Sequence, residues 1–252
     1  MTLPTVQMLW VRGPLSRLEQ LSIASFLRNG HSVDLYSYEP PANVPAGANV
    51  LDARGILPES EIFLAPSREG FGSLAPFSDI FRFALLLEKG GIWCDTDMVC
   101  VKPLHFADSM ESFFATEPVY SPPGTTQKQA MVASCAIKIP ARSPLTTECL
   151  AIARGTDLAS APWGAIGPHL LNQLVPKHGL NASLLVPNVF CPFGFWHIDA
   201  FLSGITTLPS DCHAVHFWNE IWRRNFLDKN GIFAPHSLYE RLKAYFLDRG
   251  ES

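Results

Sequence analysis

The apolar residues at the start of the chain fall into short runs whose spacing switches between the strand period and the helix period. Residues 6–10 form an apolar run and residues 32–38 alternate, which predicts two strands. Between them, residues 16–28 place apolar side chains at helical spacing, and three prolines within 39–48 predict a loop. The order strand, helix, strand is typical of the beginning of a nucleotide-binding α/β layer.

The most regular helical pattern covers residues 78–89, SDIFRFALLLEK. Ser78 suits the N-cap of this helix, and two glycines that follow it predict its end. The segment is apolar nearly all round, so we expect the helix to be buried. Asp79 and Arg82 lie three positions apart and therefore share one face. They form either a buried ion pair within the helix or a polar pair that faces a functional site.

The rest of the chain supports shorter predictions. We expect strands or extended chain at 92–94, 98–101, 130–139, 183–186 and 214–217, and helices at 146–154, 168–175 and 237–248. The last helix is amphipathic, with an apolar side formed by Leu238, Leu242, Tyr245 and Phe246. No internal repeat or linker interrupts the chain, so the sequence predicts a single domain over residues 1–252.

Composition narrows the functional classes. Apolar residues make up 47% of the 252 residues and charged residues 17%, which is typical of a globular chain and excludes a disordered one. The net charge is −4 and no long basic run is present, so nucleic acid is not expected as a ligand. A compact anion such as a diphosphate is compatible with this charge when a metal ion supplies the positive charge.

Neither a leader segment nor a membrane-spanning helix is predicted. The first residues lack the basic segment, apolar core and cleavage site of a signal peptide, and no apolar stretch reaches the ~20 residues that cross a bilayer. The six cysteines show no CxxC pair and no dense framework, which favours reduced and buried thiols. We therefore expect a cytoplasmic protein.

Two acids interrupt the apolar run GGIWCDTDMVCV at residues 90–101. In extended chain, Asp95 and Asp97 point to one face while Thr96 points to the other. Converging carboxylates repel each other unless a cation lies between them, and Mg²⁺ and Mn²⁺ prefer carboxylate oxygens. Such a cation also binds the oxygens of a diphosphate and neutralises its charge as it leaves. The alternative is an exposed pair of acids at a strand end.

Two further motifs match a known pattern without its context. GFGSLA at 70–75 fits the dinucleotide fingerprint, but no clear strand precedes it and Pro76 follows at once. DTDMV at 95–99 fits the nucleophile motif of haloacid-dehalogenase-type phosphatases, in which the first Asp attacks a phosphate. That class places the motif on its first strand and binds Mg²⁺ with a later acidic pair, which does not follow here. The phosphatase is kept as a minor alternative.

The block SDIFRFALLLEKGGIWCDTDMVCVKP at 78–103 closely resembles the sugar-binding region of DXD glycosyltransferases of the family 32 type. That group includes fungal mannosyltransferases and bacterial capsule and lipopolysaccharide transferases. Residues 9–40 and HFWNEIWRRN at 216–225 are also similar to the bacterial members. The resemblance implies a GT-A type α/β fold, a mixed central sheet flanked by helices, with a nucleotide-sugar half at 1–105 and an acceptor half at 106–252.

The resemblance also implies roles around the donor. Trp10 would stack on the nucleotide base, and Asp79 and Arg82 would hold hydroxyls of the donor sugar. Trp93 takes the place of an aromatic residue that lines the donor pocket, and Trp218 would donate its indole N–H to the diphosphate. Trp10 is alternatively a plain core residue.

A metal site is implied in the same way. Asp97 would ligate Mn²⁺ or Mg²⁺ directly, and Asp95 would contact the donor and the water shell of the metal. His216 occupies the position of the C-terminal ligand, although it is alternatively a core histidine, and His213 competes for the role. Arg82 is expected to help stabilise the departing diphosphate.

The resulting expectation is a metal-dependent, retaining glycosyltransferase. It would move a sugar from a nucleotide sugar, expected to be a UDP-sugar, to a hydroxyl of a glycan or lipid-linked saccharide. If the acceptor is lipid-linked, we expect peripheral attachment to the inner membrane through the C-terminal helix, which would equally well pack on the domain. A non-catalytic module that binds nucleotide sugars or glycans is the main alternative.

Overall fold

The computed structural model describes residues 3–67, 69–121 and 129–248, and its main feature is a six-stranded sheet. The strand order is β3-β2-β1-β4-β7-β6. The strands are β1 (Val6–Trp10), β2 (Val33–Ser37), β3 (Asn49–Asp52), β4 (Gly91–Cys94), β6 (Phe113–Pro118) and β7 (Ala130–Ile139); β5 (Met98–Cys100) and β8 (Ala214–His216) pair separately.

The sheet is mixed, as predicted. Strand β1 pairs in parallel with β2 on one side and with β4 on the other, and β2 pairs in parallel with β3. Strand β7 runs antiparallel to both β4 and β6. The chain therefore leaves β1 in one direction and returns on its other side at β4. Such a reversal of strand order opens a crevice at the carboxyl ends of the strands, where ligands bind in open α/β sheets.

Helices cover both faces of the sheet, which confirms the predicted layer architecture. Helices α2 (Ala75–Lys89), α3 (Pro144–Gly155) and α4 (Pro168–Lys177) pack with Trp93 on one face. Helix α1 (Arg17–Arg28) packs with Ile92 and Cys94 on the other. Because neighbouring residues of a strand point to opposite faces, β4 contributes to both cores and is apolar throughout.

A small second sheet brings distant segments together. Strands β5 and β8 pair antiparallel, with Met98 opposite His216. Helix α1 holds β5 in place, since Ser22 Oγ donates to Met98 O (2.6 Å) and Cys100 N donates to Ser25 Oγ (2.8 Å). Helices α5 (Ile198–Leu202), α6 (Asn219–Arg224) and α7 (Leu238–Phe246) contribute to the core beside this sheet.

Helix α2 begins earlier than the sequence analysis predicted. It starts at Ala75, with Pro76 in its first turn, so the prediction that Ser78 is the N-cap is wrong. Proline is well suited to the first turn, because its missing N–H would have no partner there and its φ is already helical. The segment at 70–75 forms turns that lead into this helix and is not a dinucleotide fingerprint.

Two other local predictions are also corrected. Residues 183–186 do not form a strand: a 3₁₀ turn spans Asn181–Ser183, and Leu184 makes one isolated bridge to Phe114. In α7, Leu238, Leu242 and Phe246 are buried, whereas Tyr245 is 52% exposed. The apolar side of α7 thus packs on the domain, which was one of the two expectations for this helix.

The remaining expectations concern the other strands and helices, membrane-spanning helices and the number of domains. Strands β3 and β6 and helices α5 and α6 were not predicted. None of the helices in the described ranges is long and apolar enough to cross a membrane. The prediction of one domain over 1–252 includes residues outside the described ranges and stays a prediction.

Candidate active site

A cavity of about 710 Å³ lies at the carboxyl ends of β1 and β4. The strand order reverses at this point, and in open α/β sheets such a reversal places a ligand-binding crevice at the carboxyl ends of the parallel strands. All eight residues that the sequence analysis selected line this cavity: Trp10, Asp79, Arg82, Trp93, Asp95, Asp97, His216 and Trp218. The structure therefore brings together residues from four elements and from both halves of the chain.

Arg82 connects the acid of helix α2 to the acid that follows β4. The whole residue is 2% exposed; Nη1 donates to Asp79 Oδ1 and Nη2 donates to Asp95 Oδ1 (2.7 Å). It also lies 4.9 Å from the centroid of the Trp93 ring. The expectation of a buried ion pair within the helix is confirmed, and the same pair lines the cavity; that it faces a functional site stays a prediction.

Asp95 is held through one of its two carboxylate oxygens. Oδ1 accepts hydrogen bonds from Arg82 and from Trp93 Nε1 (2.7 Å), and the main-chain N–H donates to Cys135 O (2.8 Å). Oδ2 has no hydrogen bond among the described residues, and the side chain is 25% exposed. The residue thus presents a fixed oxygen to the cavity.

The geometry that brings the acids together differs from the predicted one. Residues 95–97 form a turn, in which Met98 N donates to Asp95 O (3.1 Å), so the expectation of an extended chain is wrong. One ligand atom from each of Asp95, Asp97 and His216 nevertheless lies within 4.8 Å of the others. The turn therefore brings the carboxylates of Asp95 and Asp97 to the same side of the chain. An extended chain, in which alternate side chains share a face, was expected to give the same result.

Asp97 is buried and has one unsatisfied oxygen. Oδ2 accepts from Asn219 N (2.6 Å) and lies 3.4 Å from His216 Nε2. Oδ1 is buried without a hydrogen-bond partner in the described structure. An unpaired buried carboxylate oxygen is costly, so this atom is a natural point for a cation to bind.

The electrostatics of the site fit a divalent cation. Three carboxylates (Asp79, Asp95 and Asp97) lie beside the guanidinium of Arg82 and the imidazole of His216, so at most two positive charges face three negative ones here. Burial raises the pKa of Asp79 to about 6. Burial alone would lower the pKa of His216, but the Asp97 carboxylate raises it well above its usual value. Carboxylate and imidazole ligands suit Mn²⁺ and Mg²⁺, so the residues present fit the predicted metal, which stays a proposal below.

Aromatic rings and a lysine form the other part of the cavity. Trp218 stacks on His216 with centroids 4.0 Å apart, and its Nε1 is buried without a partner in the described structure. Its φ of 55° is left-handed, and this turn starts α6 next to Asp97. Trp10 Nε1 donates to Gly13 O (2.9 Å), and Lys229 Nζ lies 5.6 Å from the centroid of the Trp10 ring.

The two candidate histidines lie in different places. His216 lies beside Asp97, whereas His213 Nδ1 is 3.0 Å from Pro103 O and its ring packs edge-on against Phe106. His213 does not line the cavity. Of the two, the geometry leaves only His216 in reach of the acids.

The sequence analysis did not select Glu117, which also lies at the cavity. Glu117 in β6 lines it, and burial raises its pKa to about 7. The signal was present in FFATEP, where an acid follows a buried apolar run just as Asp95 does. Gly167 precedes α4, and a Cβ added to it would lie 2.5 Å from Asp79 Oδ2. Nothing in the sequence indicates that close approach.

A family model described as capsular polysaccharide synthesis protein matches residues 61–147. The matched segment is less than half of the chain. It contains helix α2, β4 and the turn with both acids, and it does not reach Trp10, His216 or Trp218. Among curated proteins, none matches the chain.

Three solved structures are similar to the chain in part. The PaToxG glycosyltransferase is 18% identical with a TM-score of 0.47, over 72% of each chain. The apo-form glycosyltransferase GlyE of Streptococcus pneumoniae TIGR4 is 12% identical with a TM-score of 0.42, over 74% of this chain and 46% of its own. The WbbM bifunctional glycosyltransferase is 9% identical with a TM-score of 0.45, over 93% and 50%. This chain spans about half the length of the last two. Because each TM-score is below 0.5, we draw the function from the site and the family match.

Proposed function

We propose that this protein is a divalent-metal-dependent glycosyltransferase. It transfers a sugar from a nucleotide sugar, with a UDP-sugar as the expected donor, to a hydroxyl of a glycan or lipid-linked saccharide, with retention of anomeric configuration. The observation that supports this most directly is the convergence of Asp95, Asp97 and His216 in the cavity, where a buried oxygen of Asp97 has no hydrogen-bond partner among the described residues.

Asp95, Asp97 and His216 would hold the metal. A divalent cation there supplies a positive charge that offsets the charge developing on a leaving diphosphate. Arg82 and Trp93 fix one oxygen of Asp95 and so orient the other toward the cavity. Because the ligands are held before any substrate arrives, little reorganisation is needed during transfer.

The remaining groups suit the parts of a nucleotide sugar. The indole N–H of Trp218, which has no partner in the described part of the chain, is a donor that a diphosphate oxygen would satisfy. The Trp10 ring offers a stacking surface for a base, and Lys229 beside it is paired with Glu19 (2.5 Å). Asp79 is expected to hold a sugar hydroxyl. The description of the matched family supports a saccharide acceptor.

The test is metal-dependent turnover of a panel of nucleotide sugars, followed by NMR of the product's anomeric proton. We expect Asp97→Asn to lower kcat/KM by at least about 100-fold, since it removes a negative ligand while leaving the hydrogen bond from Asn219 possible. Asp211→Asn, an exposed acid outside the cavity, is the matched control. Full activity in Asp97→Asn, or turnover that is unaffected by a chelator, would contradict the proposal.

The same assays distinguish the proposed transferase from the non-catalytic binding module and from the phosphatase. A binding module would bind the nucleotide sugar in a metal-dependent way, measured by calorimetry, and would neither transfer nor hydrolyse the donor. A phosphatase would instead release phosphate from an aryl phosphate.

A further inference from the structure

A pair of buried thiols lies directly behind the acidic site. Cys135 Sγ is 3.6 Å from Cys191 Sγ, and Cys191 Sγ is 4.0 Å from His216 Nδ1. The three ligand atoms of Cys135, Cys191 and His216 lie within 4.8 Å of one another. None of these contacts was predicted from the sequence, where the two cysteines lie far apart.

His216 therefore faces two different sets of ligands with its two ring nitrogens. Nε2 lies 3.4 Å from Asp97 Oδ2, on the side of the carboxylates, and Nδ1 lies 4.0 Å from Cys191 Sγ, on the side of the thiols. Carboxylates select hard cations such as Mg²⁺ and Mn²⁺, whereas thiolates select softer ions such as Zn²⁺. Two cysteines and a histidine form a familiar ligand set for zinc that leaves a fourth position open.

We propose that Cys135, Cys191 and His216 Nδ1 form a second metal site that takes a thiophilic ion such as Zn²⁺, and that filling it removes His216 from the acidic site. The second part rests on the proposed function. When an ion binds this site, the two thiol protons and the proton on His216 Nδ1 leave to solvent. When Nδ1 ligates that ion, Nε2 of the neutral ring keeps its proton and donates it to Asp97, so it has no lone pair for a cation there.

The surroundings allow such an ion to enter. Cys135 lines the large cavity, so the site has a route from solvent although its ligands are buried. Glu117 lines the same cavity and its charge interacts with both His216 and Cys191.

The first test uses the full chain, reduced with a phosphine and free of metal. Titration with Co²⁺ or Cd²⁺ is expected to give a thiolate-to-metal charge-transfer band that saturates at one ion per chain. The band should be lost in Cys135→Ala and in Cys191→Ala. It should persist in Cys149→Ala, which removes a buried thiol elsewhere, and in Asp97→Asn. Absence of the band, or its survival in both single variants with native circular dichroism, would overturn the second site.

The second test measures the coupling without any activity assay. Mn²⁺ affinity is measured by electron paramagnetic resonance before and after one equivalent of Zn²⁺. We expect Zn²⁺ to weaken Mn²⁺ binding by about 10–100-fold in the unmodified protein, with the effect complete at one equivalent. In Cys191→Ala, Zn²⁺ acts only by competing for the acidic site, so the loss of Mn²⁺ binding should keep growing with each further addition of Zn²⁺. If the charge-transfer band forms and Mn²⁺ affinity is unchanged, the coupling is refuted. If Mn²⁺ does not bind before Zn²⁺ is added, the proposed function fails while the first test still decides the thiol site.

Discussion

At the scale of single residues, the site depends on pairing buried charges before any ligand arrives. Arg82 is almost fully buried and shared between Asp79 and Asp95, and Trp93 adds an N–H to the same Asp95 oxygen. A buried guanidinium is tolerated only with such partners, and removing one partner leaves an uncompensated charge. The Asp79 carboxylate therefore has little freedom to move.

Gly167→Ala tests that constraint. The new Cβ would lie 2.5 Å from Asp79 Oδ2, and Asp79 cannot move away without loosening its bond to Arg82. We expect a loss of unfolding free energy of about 1–3 kcal/mol in urea titrations, together with weaker Mn²⁺ and nucleotide binding.

Gly155→Ala is the matched control, because a Cβ there meets nothing within 4 Å. Because Gly155 ends helix α3 without a positive φ, alanine there should raise the unfolding free energy by at most about 1 kcal/mol, opposite in sign to the effect of Gly167→Ala. Equal effects of the two substitutions on nucleotide binding would refute the role assigned to the contact with Gly167.

At the scale of elements, turns and helix ends aim the functional groups. The turn after β4 converges the acids, and the left-handed Trp218 begins α6 so that Asn219 N donates to Asp97. The ladder between β5 and β8 then sets the distance from His216 to Asp97. The turn, the start of α6 and the β5–β8 ladder are each only a few residues long. Each of them depends on a partner segment that is far away in the sequence.

Two serine substitutions distinguish a true helix cap from an apparent one. Ser16 caps α1 in a capping box with Glu19, whereas Ser78 lies inside α2 and its hydroxyl caps nothing. Ser16→Ala should lower the unfolding free energy by about 1 kcal/mol, and Ser78→Ala by less than about 0.5 kcal/mol. Thermal and urea unfolding measure both. A larger loss for Ser78→Ala would mean that the helix starts where the sequence analysis placed it.

At the scale of the whole molecule, the sheet topology collects charge at one edge. The carboxyl ends of β1, β4 and the parallel-running β6 all reach the cavity, so Trp10, Asp95 and Glu117 line one space. Burying carboxylates at this half-enclosed edge of the sheet lowers the free energy of unfolding, and the size of this loss depends on pH.

Glu117→Gln measures how much Glu117 alone contributes to this pH-dependent loss of stability. Burial raises the pKa of Glu117 to about 7, above the 4.5 of an unperturbed glutamate. The contribution of Glu117 to the free energy of unfolding is therefore most favourable below pH 4.5, and it is lost as the pH rises through 7. In metal-free protein, Glu117→Gln should therefore gain stability relative to the unmodified chain between pH 4.5 and 8, by at most about 3 kcal/mol.

The exposed Glu111→Gln serves as the control for charge alone. Urea unfolding at several pH values measures both variants. The same pH dependence of stability in Glu117→Gln and the unmodified chain would show that the glutamate is not held in a desolvated position.

Most of the main elements could be predicted from the sequence, because hydrophobic period and helix-capping residues are local signals. Strand β1, helix α1 and strand β7 were predicted to within about one residue. Strand β6 and helix α6 were missed, since their short segments show no clear period. The candidate residues were selected through a resemblance to a family, and the structure brings all eight to one cavity.

What the sequence determined by itself is the set of local elements and the chemical types at the site, because both follow from neighbouring residues. The tertiary structure alone decided which groups meet: Arg82 with Asp95, His216 with Asp97 and with the two thiols, and Gly167 with Asp79. These contacts join segments far apart along the chain. Their distances are set by strand order and by helix packing on the sheet, which no local pattern of residues encodes.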